Sequence, residues 1–154
     1  ADIKKIEPMD TKTYYARGCT ALLDAIGKTI NHVGNRHKYA PDSEVPGKTM
    51  VVIITDGYEN ASREFTLPQV KQIIERQKEK FGWEFLFLGA NIDAVETAAK
   101  FGISSDRAAT YYADSEGTRK NYDAVSCAMS CMRTDMPIDE NWKEDIDNYL
   151  KSRK

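Results

Sequence analysis

Apolar residues recur along this chain at two different spacings, and the switch between them sets out an order of elements. Leu22, Leu23, Ile26 and Ile30 fall on one face at helical spacing, with Thr20 placed to cap the start. His32 to Gly47 contains Gly34, Asn35, Pro41, Pro46 and Gly47, and reads as a polar loop that carries His32 and His37. Thr49 to Thr55 (TMVVIIT) is a continuous, largely β-branched run, the pattern of a strand covered on both faces. Thr66-Leu67-Pro68-Gln69 reads as a capping box with proline in the first turn, opening a helix that points Val70, Ile73 and Ile74 inward. Trp83 to Leu88 (WEFLFL) is a second buried strand, ending at Gly89-Ala90-Asn91. Asp93 to Phe101 is a short helix stopped by Gly102, and Ala108 to Ala113 (AATYYA) is a third strand. A helix from about Glu116 to Met132 places Tyr122, Val125, Met129 and Met132 on one face. After Pro137, Asp139 to Leu150 forms a last amphipathic helix with Trp142, Ile146, Tyr149 and Leu150 as its apolar side.

Strands that alternate with helices, each strand apolar on both faces, imply a mostly parallel sheet with helices on either side. The expected fold class is therefore α/β, a three-layer α/β/α domain. A chain of 154 residues suits one such domain without disulfide or metal support. In sheets of this kind the functional loops gather at the carboxyl ends of the strands. That singles out Gly18 to Thr20, Asp56 to Asn60 and Gly89 to Asp93.

Charge narrows the function classes. Lys and Arg total 22 against 24 Asp and Glu, so no basic field exists for sequence-independent binding of nucleic acid. The longest unbroken apolar run, Met50 to Ile54, is too short to span a bilayer. The first residues, Ala-Asp-Ile-Lys-Lys, contain no apolar signal segment. Three cysteines, Cys19, Cys127 and Cys131, do not make a disulfide framework, and no CxxC or HxxxH pair completes a zinc site. Buried, reduced thiols and a cytoplasmic location are the expectation.

Within the three loops, Thr20 and Asp56 bear the most chemistry. Asp56 follows directly on a buried strand, and Gly57 permits a sharp turn after it. A hydroxyl and a carboxylate on rigid elements suit a hard divalent cation such as Mg²⁺. The same residues also fit plain structural roles, Thr20 as a helix cap and Asp56 as a turn acceptor. Tyr58 and Glu59 follow no strand or helix alternation, which favours surface recognition for Tyr58. Asn91 and Asp93 are placed to support the same sheet end, and a turn with a helix cap accounts for them equally well. Arg17 suits an anionic partner group or a surface salt bridge. Asp24 is expected to face solvent or the loop before it.

Arg17-Gly18-Cys19-Thr20-Ala21-Leu22-Leu23-Asp24-Ala25-Ile26, followed by Val51-Val52-Ile53-Ile54-Thr55-Asp56-Gly57, resembles the von Willebrand factor type A (integrin I-like) domain. The resemblance covers about residues 11–133, with 134–154 as a C-terminal helical extension. It implies a Rossmann-like fold and a metal-ion-dependent adhesion site. Thr20 would coordinate the metal directly and Asp56 directly or through water, with Gly18, Gly57, Asn91 and Asp93 in support. The rim carrying Tyr58, Glu59 and Arg17 would meet a protein partner, which offers an acidic side chain to the ion.

The family's D-x-S-x-S motif is absent from this sequence, and Ile3 to Pro8 resembles the family's short edge strand. The expectation is a type A fold without its first strand and with a weak or incomplete metal site. The 49–55 strand would then have an open, very hydrophobic edge. Pairing with another chain (including homo-oligomerisation), coverage by Asp2–Glu7, or the missing part supplied as a separate piece would close it. Two other functions stand beside adhesion. One is a Mg²⁺-dependent phosphate-handling or hydrolytic enzyme using Asp56, although the sequence has no GxxxxGK[ST], GxGxxG or GxSxG motif. The other is a structural subunit whose interface is the strand edge.

Overall fold

In a computed structural model of the chain, the described residues are 19–153 together with Lys5, Glu7 and Asp10. Arg17, Gly18 and most of Ile3 to Pro8 lie outside them. The order is α1 (Leu22–Tyr39), β1 (Met50–Thr55), α2 (Leu67–Phe81), β2 (Glu84–Ala90), α3 (Ala94–Lys100), β3 (Ala108–Tyr111), α4 (Ser115–Arg133) and α5 (Glu144–Ser152). The strands form one parallel sheet in the order β1-β2-β3, with Val52 beside Leu86 and Gly89 beside Thr110. No helix among the described residues is long and apolar enough to cross a membrane.

Alternation along the strands divides the interior into two cores. Ile53, Phe85 and Phe87 point to one face and pack with Ile26 and Ile30 of α1, Val70 and Ile74 of α2, and Ala94 and Ala98 of α3. Leu86 and Leu88 point to the other face and meet Ala124, Val125 and Ala128 of α4 and Ile146 of α5. The sheet thus lies between two helical layers, the α/β class that the alternating pattern implies.

Three sequence readings need correction. The polar loop expected from His32 is helix as far as Tyr39. No proline interrupts the chain before Pro41, and Ile30, Val33 and His37 continue the inward stripe. The His37 ring meets Trp83 edge-on at 5.5 Å, and Arg36, His37 and Lys38 suit the negative end of the helix.

Helix α4 buries only part of the face its large residues mark: Val125 is inward, but Tyr122 and Met129 are exposed. Gly117, Asn121, Ala124 and Ala128 face inward, while Tyr122 is 61% exposed. At its start the helix approaches the chain so closely that a Cβ at Gly117 would run into the Tyr112 carbonyl oxygen. The thiols are likewise not buried: Cys19 and Cys127 are exposed, and Cys131 is half-buried against the second core.

Other local signals hold. Thr66 and Gln69 form the capping box, and Gly102 takes φ +76° after α3. Two bonds flank α5: Trp142 Nε1, just before it, donates to the carbonyl of Asp106, just before β3, at 2.7 Å, and the α5 Tyr149 hydroxyl donates to Oδ2 of Asp114, the N-cap of α4, at 2.7 Å.

Among the described residues β1 has a strand neighbour on one side only. Its residues are also less covered than those of β2. Met50, Val51 and Val52 are half-buried and Ile54 is 44% exposed, whereas β2 is buried from Phe85 to Ala90.

Candidate functional site

The carboxyl end of β1 and the start of α1 are stitched together by side chains binding backbone. Thr20 N–H donates to Asn60 Oδ1 at 2.9 Å, and Asn60 N–H donates back to the Thr20 carbonyl at 3.1 Å. The N-cap residue of α1 is Ala21, which has no side chain able to cap. Its first N–H groups are therefore satisfied from the loop after β1. Leu23 N–H donates to Glu59 Oε2 at 2.8 Å and Asp24 N–H to the Ser62 hydroxyl at 3.0 Å.

The reverse connection is equally dense. Asp24 is 9% exposed, and its carboxylate accepts the N–H groups of Arg63, Glu64 and Phe65 at 2.9–3.0 Å. It faces the loop after β1, not the loop before the helix. Those bonds, led by the Arg63 N–H and opposed by burial, hold its carboxyl below the usual carboxylate range. Glu59 also accepts from Ala61 N–H, Ser62 N–H and the Ser62 hydroxyl. Partial burial pushes the Glu59 pKa up, but these bonds and the one from Leu23 outweigh it and bring it down to about 2.

This lock changes the meaning of several predicted site residues. Glu59 lies inside the loop with both carboxylate oxygens engaged, so it is a clamp between β1 and α1. Asp93 caps α3 by accepting Glu96 N–H at 2.8 Å. Asn91 adopts φ +57° and donates from Nδ2 to the Asp56 carbonyl at 3.4 Å, steadying the turn from the neighbouring strand. The turn itself is made by the Thr55 hydroxyl, which donates to the Gly57 carbonyl at 3.0 Å. Gly57 has no left-handed φ, and a Cβ there would meet nothing within 4 Å. Tyr58 is 63% exposed and lines a shallow cleft with Leu67, Thr97, Lys100 and Phe101.

Thr20 and Asp56 stand apart from this consumption. The helix does not use the Thr20 hydroxyl as a cap, and the turn does not use the Asp56 carboxylate as an acceptor. Both residues line a cleft of about 430 Å³ with Ala21, Leu22, Ala25, Ile54, Thr55 and Tyr111. Burial raises the Tyr111 pKa, and the Asp56 charge adds to the effect, so the phenol beside the cleft stays protonated and neutral.

A hydroxyl and a carboxylate are hard oxygen donors, which is the right chemistry for Mg²⁺. Among the described residues, however, no group of three or more His, Cys, Asp or Glu gathers to hold an ion. The donor type fits while the donor number is low, so an ion here would keep most of its waters.

Asn60, Ser62 and the inward role of Asp24 were not evident from sequence. With Ala21 as the N-cap, the first N–H groups of α1 have to be met from outside the helix. The polar density of Glu59-Asn60-Ala61-Ser62 was the hint in the sequence. No family model matches the chain, and neither a curated protein nor a solved structure does.

Proposed function

We propose that this chain is a non-enzymatic, protein-binding domain of type A-like character with a partial metal-ion-dependent adhesion site. The Thr20 hydroxyl and the Asp56 carboxylate would hold a divalent ion, Mg²⁺ or a similar hard cation. An open coordination position would take the carboxylate of a partner protein's Asp or Glu. The observation that carries this reading is that these two oxygen donors line one cleft and neither is spent on the fold. Tyr58, exposed on the adjoining loop, offers an aromatic contact to the same partner. Free thiols at Cys19, Cys127 and Cys131 fit a reducing compartment, the cytoplasm.

Two protein oxygens predict weak affinity, with a dissociation constant in the millimolar range. Adding about 10 mM Mg²⁺ should therefore raise Tm by only about 2 °C. Thr20→Ala and Asp56→Ala should each remove that rise while keeping a cooperative unfolding transition. A rise that persists in Asp56→Ala would place the ion elsewhere and remove the basis for the reading.

A further inference from the structure

The open edge of β1 carries a pattern that is complementary to itself. The Thr49 carbonyl accepts from Glu84 N–H at 2.9 Å, so Thr49 directs its backbone groups toward β2. Strand alternation then sends the backbone groups of Val51, Ile53 and Thr55 the same way. Those of Met50, Val52 and Ile54 point outward, where no described strand meets them. Unpaired strand edges are normally blunted by charge, proline or a bulge. From Met50 to Thr55 this edge has no charge and no proline.

We propose that β1 pairs antiparallel with β1 of a second copy, about a two-fold axis at Val52 that runs normal to the sheet. In that register Val52 faces Val52 of the copy, and Met50 faces Ile54 of the copy. All of these residues point their backbone groups outward, so each opposed pair exchanges both N–H···O bonds. The register also keeps the faces matched. Met50 and Val52, which pack against the second core, and half-exposed Ile54 would continue as one apolar stripe across the axis.

Charge agrees with the same register. Two residues beyond Met50 lies Lys48, and two beyond Ile54 lies Asp56, so each lysine stands opposite an aspartate of the copy. The Lys48 side chain is 41% exposed, with its ammonium bonded to Asp135 and to the Met132 carbonyl in the monomer, so pairing with Asp56 of the copy would add a further acidic neighbour to it. A closed two-fold dimer satisfies both edges at once, without continuing into a filament.

Sedimentation equilibrium from about 1 to about 100 µM, with chelator present, tests this independently of the cation reading. A dimer is expected for the wild-type chain. Val52→Lys, which sets two ammonium groups against each other at the axis, should give a folded monomer by circular dichroism. Val52→Cys should cross-link to itself on oxidation, because opposed residues in such a pair lie about 5.5 Å apart at Cα, within disulfide range. Should Val52→Lys fail to fold, Lys48→Glu decides. It should weaken the dimer on the order of tenfold, and the double variant Lys48→Glu/Asp56→Lys should restore it. A wild-type monomer at about 100 µM, a dimer that survives Val52→Lys, or a dimer indifferent to the charge swap would each overturn the proposal.

Discussion

Replacing Phe87 by alanine is expected to lower the unfolding free energy by about 3–5 kcal/mol and Tm by about 10 °C or more. Phe87 is fully buried on β2, the central strand, and its ring stacks on Phe101 with centroids 5.8 Å apart. Its neighbours in that core include Ala94, Ala98 and Ala108, small side chains that have little volume to offer toward a cavity. Two of them belong to α3 and the third to β3, so filling the space would require whole elements to shift. Urea unfolding should therefore show a lower midpoint at unchanged slope. The matched control is Phe81→Ala, because Phe81 is 60% exposed and should cost no more than about 0.5 kcal/mol. A loss below about 1 kcal/mol at Phe87 would mean that β2 is not packed as described.

Acid should destabilise the protein in a window set by Glu59 and Asp24. Glu59 has an ordinary pKa near 4.5 that is brought down to about 2 in the fold. Between those values the unfolded chain binds the proton and the folded chain does not, so stability rises with pH across the window. The contribution is fully present above about pH 4.5 and is lost as pH falls through the folded value. Asp24, also lowered, acts in the same direction below its ordinary value of 3.8. Glu59 is partly open to solvent, so its share is a modest one, about 1 kcal/mol. Glu59→Gln keeps one acceptor but removes the charge. Its urea midpoint should change less between pH 6 and pH 3 than the wild-type midpoint does, and Asp24→Asn should flatten the lower part of the same curve. Identical acid slopes in all three proteins would contradict the clamp between β1 and α1.

The strands were the easiest part of this fold to read from sequence. A run such as Met50–Thr55 has β-branched residues on both faces, and nothing else in the chain competes with it for the sheet. Only the ends moved, as when β2 ran on through Gly89 and Ala90 because Thr55, Thr110 and Tyr111 lie beside them for pairing. Gly34 and Asn35 read as loop residues, so the sequence predicts a shorter α1 than the one that runs to Tyr39. In the fold, contacts of Val33 and His37 with the core outweigh their modest cost. In helix α4 Val125 is inward as its spacing predicts, whereas the larger Tyr122 and Met129 face out. The buried line runs through Gly117, Asn121, Ala124, Val125 and Ala128, mostly small side chains.

The site was legible to a different depth. Thr20 and Asp56 stood out through adjoining motifs. The bonds that set their spacing did not, because a contact such as Asp24 to Phe65 exists only once two distant segments have met. Local propensity gives no view of such bonds. Thr20 and Asp56 line one cleft, and the bonds made by Asn60, Ser62, Glu59 and Asp24 brace the segments that carry them.

Mn²⁺ substituted for Mg²⁺ gives the most direct test of the central claim, that Thr20 and Asp56 together hold a divalent ion. Amide resonances in a two-dimensional NMR spectrum should broaden first at Thr20, Ala21, Asp56 and Gly57 as Mn²⁺ is added. Asp56→Asn should abolish that selectivity while leaving the spectrum dispersed. Broadening spread evenly over the acidic surface, or the same selective pattern in Asp56→Asn, would contradict the account.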